Sequence, residues 1–202
     1  LLDYLVVKGT TKVKLTRDFF ARPTLEVAPD LLGMTFVRTL PSGEILRAPI
    51  VEVEAYTQDD PACHAFRGIT ERCRVMFGPA GFAYVYFIYG MYFCLNVVTE
   101  ADGVPGAVLI RALGSPGCEG PGKLCREWGI DRSHNGVDLL DCHSPLYLEH
   151  GTKYGADFVT ISERIGLNVA TERPWRFFVT ENPHVSGRKK SRKSSAGSVN
   201  VK

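Results

Sequence analysis

No apolar run in this 202-residue chain approaches the roughly 20 residues that a membrane-spanning helix needs. The opening LLDYLVVKGTTKVK has no charged segment ahead of a long apolar core, so it does not read as a signal peptide. A surplus of one charge is also lacking: 24 Lys and Arg stand against 22 Asp and Glu, a net charge of +2. A polyanionic partner therefore has to be held by local patches rather than by the field of the whole body. None of the six cysteines forms a CxxC pair, and a hydrophobic content of 45% supplies a core that needs no disulfides. The thiols read as reduced and the chain as intracellular. Cys118, Cys125, His134, Cys142 and His143 could be grouped as zinc ligands, but their spacings match no familiar site and no metal is expected.

The length suits one domain, placed at 1–186. Residues 187–202 form a Ser- and Lys-rich tail, expected to be disordered. Arg188, Lys189, Lys190, Arg192, Lys193 and Lys202 fall in it with no acid, which leaves the rest of the chain at net −4. The tail is expected to add salt-dependent affinity for a polyanion.

The most unusual stretch is Phe82 to Thr99, FAYVYFIYGMYFCLNVVT. It alternates like a strand, breaks at Tyr89-Gly90-Met91 and alternates again, which is the pattern of a β-hairpin. Phe82, Tyr84, Tyr86, Phe87, Tyr89, Tyr92 and Phe93 crowd it. Either it is a buried core hairpin with its hydroxyls satisfied at the rim, or its aromatic turn meets something flat or apolar.

Around it, Thr16 to Phe20 reads as a capped short helix, and Asp30-Leu31-Leu32-Gly33 ends a second one. Met34 to Leu40 and Glu44 to Tyr56 read as two strands joined at Pro41-Ser42-Gly43. Ile50, Glu52, Glu54 and Tyr56 share one face of the second strand; Val51, Val53 and Ala55 share the other, which is the better core face. Gln58 to Gly81 is a long connection carrying His64, Arg67, Arg72 and Arg74, and connections of that length are usually functional. Gly106 to Leu113 is a further strand with Leu109 and Arg111 on one face. Gly120-Pro121-Gly122-Lys123 leads into a short helix, Leu124 to Trp128, whose start with Lys123 could hold a phosphate. Leu146 to Glu149, Phe158 to Ser162 and Arg176 to Thr180 complete the strands.

Separately, each candidate residue has an ordinary reading. Strand carboxylates usually face solvent, a lone His is usually structural, and Asn96 could simply bond backbone nearby. Together they suit one kind of chemistry, in which aromatics stack a flat ring, a carboxylate activates water, and arginines hold phosphate or orient the carboxylate.

The ordered set Ile50-Val51-Glu52-Val53-Glu54-Ala55-Tyr56, His64, Met76-Phe77-Gly78-Pro79, Tyr84 to Asn96, Leu109-Ile110-Arg111-Ala112 and Gly120 to Cys125 resembles the alkyladenine (3-methyladenine) DNA glycosylase family. The similarity runs from about Thr16 to Ser186. It implies a single mixed α+β domain around a curved, mainly antiparallel sheet with a protruding aromatic hairpin. It also implies excision of alkylated and deaminated purines from duplex DNA without metal or other cofactor, by a monomer located with the DNA (nucleus in a eukaryote, cytoplasm or nucleoid in a bacterium). By motif, Glu54 resembles the general base, Arg111 the residue that holds carboxylate and water, and the Val179 carbonyl a third water contact. Tyr56, His64 and Tyr86 resemble the walls that sandwich the flipped base, with Leu109 beside them. Asn96 resembles the residue that screens out guanine. Tyr89 resembles the side chain that fills the vacated stack, and Met91, Tyr92, Arg67, Arg72 and Lys123 complete the DNA-facing set. With no lysine nucleophile in the motif, a hydrolytic enzyme that leaves an abasic site is expected.

Three departures stand out. Glu52-Val53-Glu54 replaces the more usual Glu-Thr-Glu, Cys73 stands where Asn is frequent, and the link from Arg111 to Gly120 is much shorter than the family's usual insertion. Two other classes fit parts of the pattern. A non-catalytic binder of damaged nucleic acid would not need both Glu54 and Arg111, and a nucleoside hydrolase would not need an aromatic wedge or a basic tail.

Overall fold

The computed structural model describes residues 15–187; of the tail expected at 187–202, all but Gly187 lies outside the described residues. Two short helices lead in, α1 (Arg17–Phe20) and α2 (Thr24–Asp30). Thr16 occupies the N-cap position of α1 in extended conformation, but its side chain makes no capping bond. The chain then enters β1 (Thr35–Thr39), turns, and returns as β2 (Ile45–Thr57).

β2 is the axis of the sheet. Its first part, Ile45 to Pro49, pairs with β1, and its second part, Ile50 to Thr57, pairs with β5 (Gly106–Leu113). The hairpin strands β3 (Ala83–Ile88) and β4 (Tyr92–Thr99) follow on the β5 side, and β6 (Leu146–Glu149) lies beyond β1. β8 (Arg176–Val179) pairs with Glu52 to Glu54 of β2 and carries β7 (Val159–Ser162). Every pairing between these strands is antiparallel. The result is a mixed α+β domain around one curled antiparallel sheet.

Two register shifts interrupt β2 against β5, between Ile50 and Glu52 and between Glu52 and Val53. A bulge inserts a residue, bends the strand and breaks the period-two alternation. Ile50 therefore does not share the face of Glu52 and Glu54 as strict alternation predicts. It packs in the main core with Val51, Val53 and Ala55.

The main core is closed by α2 and by α3 (Pro121–Glu127), which packs on β4 and β5; its Leu124 and Cys125 join the same core as Leu95, Val97 and Ile110. α3 begins at Pro121, earlier than expected, because proline at the first helical position gives up an N–H that has no helical partner anyway. A second, smaller cluster lies under the long connection: Cys63, Ala65, Cys73 and Met76 pack on Tyr84, Val98 and Ala107. The connection is thus anchored, with a 3-10 turn at Arg74–Phe77. Emptying the fully buried Met76 site by Met76→Ala would cost about 2–5 kcal/mol. Tyr56 and Tyr86 pack against this cluster, so the same burial that holds the connection down sets two aromatic walls.

Candidate active site

Glu52 and Glu54 are both fully buried, against the expectation for strand carboxylates. Burying a carboxylate is costly unless it is paired and hydrogen-bonded. Glu52 is saturated: it accepts from Arg176 Nε at 2.7 Å, Arg111 Nε at 3.1 Å, the Ser186 N–H at 2.6 Å and Ser186 Oγ at 2.8 Å. Glu54 receives Arg111 Nη1 at 3.2 Å, the Tyr56 hydroxyl at 2.8 Å and the Ile165 N–H at 2.8 Å. Burial by itself would lower the Arg111 pKa, but the Glu54 and Glu52 carboxylates outweigh it and raise it. Burial, and then the Glu54 carboxylate, push the Tyr56 phenol far above its ordinary value, so it remains a proton donor.

Of the two carboxylates, Glu54 borders a cleft of about 410 Å³, together with Arg111, Tyr56, Tyr86, Leu109 and Tyr92. An adjoining space of about 100 Å³ shares Tyr56 and Tyr86 and adds His64, Tyr84, Met76 and Asn96. The aromatic groups order one another. His64 lies edge-on to Tyr86 with ring centres 4.6 Å apart, and its Nδ1 is 2.8 Å from the Tyr84 hydroxyl. Burial first, and the Arg72 charge second, hold the His64 imidazole down at about 4, so it is neutral at pH 7. Asn96 faces this inner space, and its Nδ2 also donates to the Tyr84 carbonyl at 2.9 Å. The carboxamide therefore ties the hairpin backbone and lines the cavity at once.

The hairpin closes at Ile88 opposite Tyr92. Tyr89 and Gly90 both have positive φ, 54° and 67°, and the Met91 N–H donates to the Ile88 carbonyl at 3.3 Å. Positive φ at both central residues is what a type I′ turn requires, but an aromatic residue is strained there. Tyr89 is 74% exposed and Met91 66%. Tyr89 and Tyr92 border the cleft, as does Lys123 at the start of α3. Tyr92 presses so closely on Gly122 that a Cβ there would lie 2.9 Å from its ring, which reserves the position for glycine.

Arg67 is exposed and borders none of these spaces. Arg72 lies in a different cavity, of about 430 Å³, with its guanidinium 5.0 Å from the Tyr86 ring centre and Nη2 donating to the Phe87 carbonyl at 3.2 Å. Cys73 is buried beside Thr70, with Sγ 3.1 Å from Thr70 Oγ1. Of the imagined zinc group, Cys142 and His143 come together with Asp141 on an exposed turn, whereas the His134 ring is engaged by Asp131.

Val179 is not brought to Glu54. β8 runs antiparallel to β2 with Arg176 opposite Glu54 and Phe178 opposite Glu52, so the next residue has already passed the carboxylates. Val179 pairs with Val159 and its side chain joins the main core. The backbone group that does reach Glu54 comes from Ile165, and Ile165 and Leu167 border the cleft. Residues 163–171 carry no periodicity or motif, so nothing in the sequence singled them out. The same holds for Asp60 and Arg164, a fully buried ion pair beside Tyr56.

The family described as methylpurine-DNA glycosylase matches residues 18–116 and 114–183. The two matched pieces meet in the short link after β5, where the chain turns back at once and the Ser115 N–H donates to the Leu113 carbonyl at 2.7 Å. The chain is 50% identical to a protein of Methanocella arvoryzae, over 86% of this chain and 96% of the relative. It is 44% identical to one of Alkaliphilus oremlandii, over 86% and 99%, and 45% identical to one of Carboxydothermus hydrogenoformans, over 85% and 98%. All three relatives carry, provisionally, the name 3-methyladenine DNA glycosylase.

Proposed function

The chain belongs to the methylpurine-DNA glycosylase family, and from that premise we propose that it is a monofunctional DNA repair glycosylase. It flips alkylated and deaminated purines (3-methyladenine, 7-methylguanine, hypoxanthine, ethenoadenine) out of duplex DNA and hydrolyses the N-glycosidic bond to leave an abasic site. The observation that carries this reading is the division between two buried carboxylates. Glu52 has its lone pairs occupied inside the protein, while Glu54 borders the aromatic cleft beside Arg111.

The physics of the steps follows from the residues. Extruding a base costs a few kcal/mol, and stacking on an aromatic wall returns about 1–3 kcal/mol per base. Tyr56, Tyr86 and His64 are the walls, and Tyr89 occupies the gap in the duplex. A neutral His64 adds no repulsion against an alkylated base that carries positive charge, and the tyrosine rings attract it. Water attacks the sugar carbon as the glycosidic electron pair leaves with the base, and Glu54 takes the water proton. A cationic base departs neutral and needs no acid, whereas a neutral one such as hypoxanthine or ethenoadenine takes up a proton from water as it leaves.

Glu54 accepts from Arg111 and the Ile165 N–H at Oε1 and from the Tyr56 hydroxyl at Oε2, which leaves Oε2 an acceptor site for the water proton while those three contacts stay in place. Lys123 and Arg67 suit phosphate contacts, while Arg72 lies outside the cleft with its guanidinium against the Tyr86 ring. The enzyme acts as a monomer, and it acts wherever the cell keeps its DNA.

The test is incubation with duplex DNA holding one damaged purine, in EDTA, followed by alkali. Alkali-labile sites without strand cutting beforehand, and without a borohydride-trapped adduct, are expected. Intact DNA from every purine lesion would refute the reading.

A further inference from the structure

Arg164 and Asp60 form a fully buried ion pair: Arg164 Nη1 meets Asp60 Oδ2 and Nη2 meets Oδ1 at 3.0 Å. Arg164 also donates to the Ala55 carbonyl at 3.0 Å and the Ala170 carbonyl at 3.3 Å, and its guanidinium carbon lies 4.7 Å from the Tyr56 ring centre. These contacts join three pieces of chain that the catalytic reading needs together. Ala55 precedes Tyr56 on β2. Asp60 opens the turn that leads to His64 and accepts the Ala62 N–H at 3.1 Å. Arg164 itself precedes Ile165, whose N–H caps Glu54.

The pair is poorly built for stability. Two charges removed from water must recover their hydration through mutual attraction and full hydrogen bonding, and apolar replacements of similar volume are often neutral or stabilising. Here the recovery is incomplete. Among the described residues, Arg164 Nε is the buried side-chain polar atom that lacks a hydrogen-bond partner. What the pair does supply is geometry, because a bidentate fork fixes both distance and orientation.

We propose that Arg164 and Asp60 are positioning residues for Glu54, holding the Tyr56 hydroxyl and the Ile165 N–H on the carboxylate while tying the two loops that wall the cleft. The inference rests on the glycosylase reading above. Neither residue borders the cleft, so neither is expected to touch the base.

The test compares wild type, Arg164→Met combined with Asp60→Leu, and Arg164→Lys on lesion-bearing duplex. Melting temperature, duplex affinity and single-turnover excision are measured for each. The apolar double variant is expected to fold with a melting temperature at or near that of wild type. Its excision rate is expected to fall at least about tenfold while affinity changes by less than about threefold, since small misplacements at a reacting centre cost rate before binding. Arg164→Lys keeps the charge but loses the fork, and the same split is expected. Should the double variant not fold, the lysine variant decides alone. Excision within about twofold of wild type in a folded variant, or rate and affinity falling in parallel with melting temperature, overturns the proposal. A wild-type protein that excises no purine lesion would instead remove the functional reading on which the proposal rests.

Discussion

Arg111 lies between Glu52 and Glu54, with Nε 3.1 Å from Glu52 Oε1 and Nη1 3.2 Å from Glu54 Oε1. One guanidinium thus bridges two carboxylates that stand two residues apart on β2, and Arg176 supplies Glu52 with a second positive charge. Its removal would leave both buried without their shared cation, at a cost of about 3–5 kcal/mol. The two carboxylates are chemically identical and differ only in what else they meet, so their substitutions separate cleanly.

Glu54→Gln is expected to retain lesion-duplex binding while single-turnover excision drops by about 10²–10⁴, the usual contribution of a positioned base. Glu52→Gln is expected to act through the fold. It weakens the bonds from Arg176, Arg111 and Ser186, costs about 3–5 kcal/mol and lowers the melting temperature by roughly 10 °C. If the two variants lose rate equally at equal stability, the division of labour is wrong.

Tyr89 holds a strained positive φ at the exposed hairpin tip. Asparagine tolerates that conformation better than tyrosine. Tyr89→Asn is therefore expected to leave the melting temperature unchanged or slightly raised. Excision from duplex DNA should fall about tenfold, the equivalent of a lost stacking contact of 1–3 kcal/mol. Excision from single-stranded DNA, which leaves no duplex gap to fill, should change less. Equal losses on both substrates would deny Tyr89 the wedge role.

Asn96 combines a backbone tie with a position in the cavity wall, so Asn96→Ser should have two effects. Loss of the bond to the Tyr84 carbonyl costs about 1–3 kcal/mol. Loss of the carboxamide opens room for a 2-amino group, and guanine excision relative to hypoxanthine should rise roughly tenfold. Both rates are measured on one folded preparation beside its melting temperature. An unchanged ratio with a lowered melting temperature would leave Asn96 only its structural part.

His64 gives a pH signature. Its folded pKa is held at about 4, below the usual 6.5, so between those values the unfolded chain binds more protons than the folded one. Stability due to neutral His64 is present above pH 6.5 and is lost as pH falls toward 4. Replacing it by His64→Phe should flatten the fall in melting temperature across that window. A slope identical to that of wild type would mean the imidazole is not held neutral.

Local pattern carried a large part of this molecule. Alternation and turn residues placed the hairpin around Tyr89-Gly90-Met91, and gave the bounds of β5 at Gly106–Leu113 and of β6 at Leu146–Glu149. The ordered motifs and the family they resemble named Glu54, Tyr56, His64, Tyr86, Asn96 and Arg111, which line the cleft and the space adjoining it. These features are legible because strand periods and turn chemistry act over a few residues. Tertiary structure decided the rest. Bulges at Ile50 to Val53, set by pairing with β5, moved Ile50 into the core, and the β8 register carried Val179 past Glu54. The Ile165 N–H reaches Glu54 across 111 positions, and Arg164 reaches Asp60 across 104. Such contacts depend on which buried charges and backbone groups satisfy one another after collapse, and that pairing leaves no periodic trace in the residues that make it.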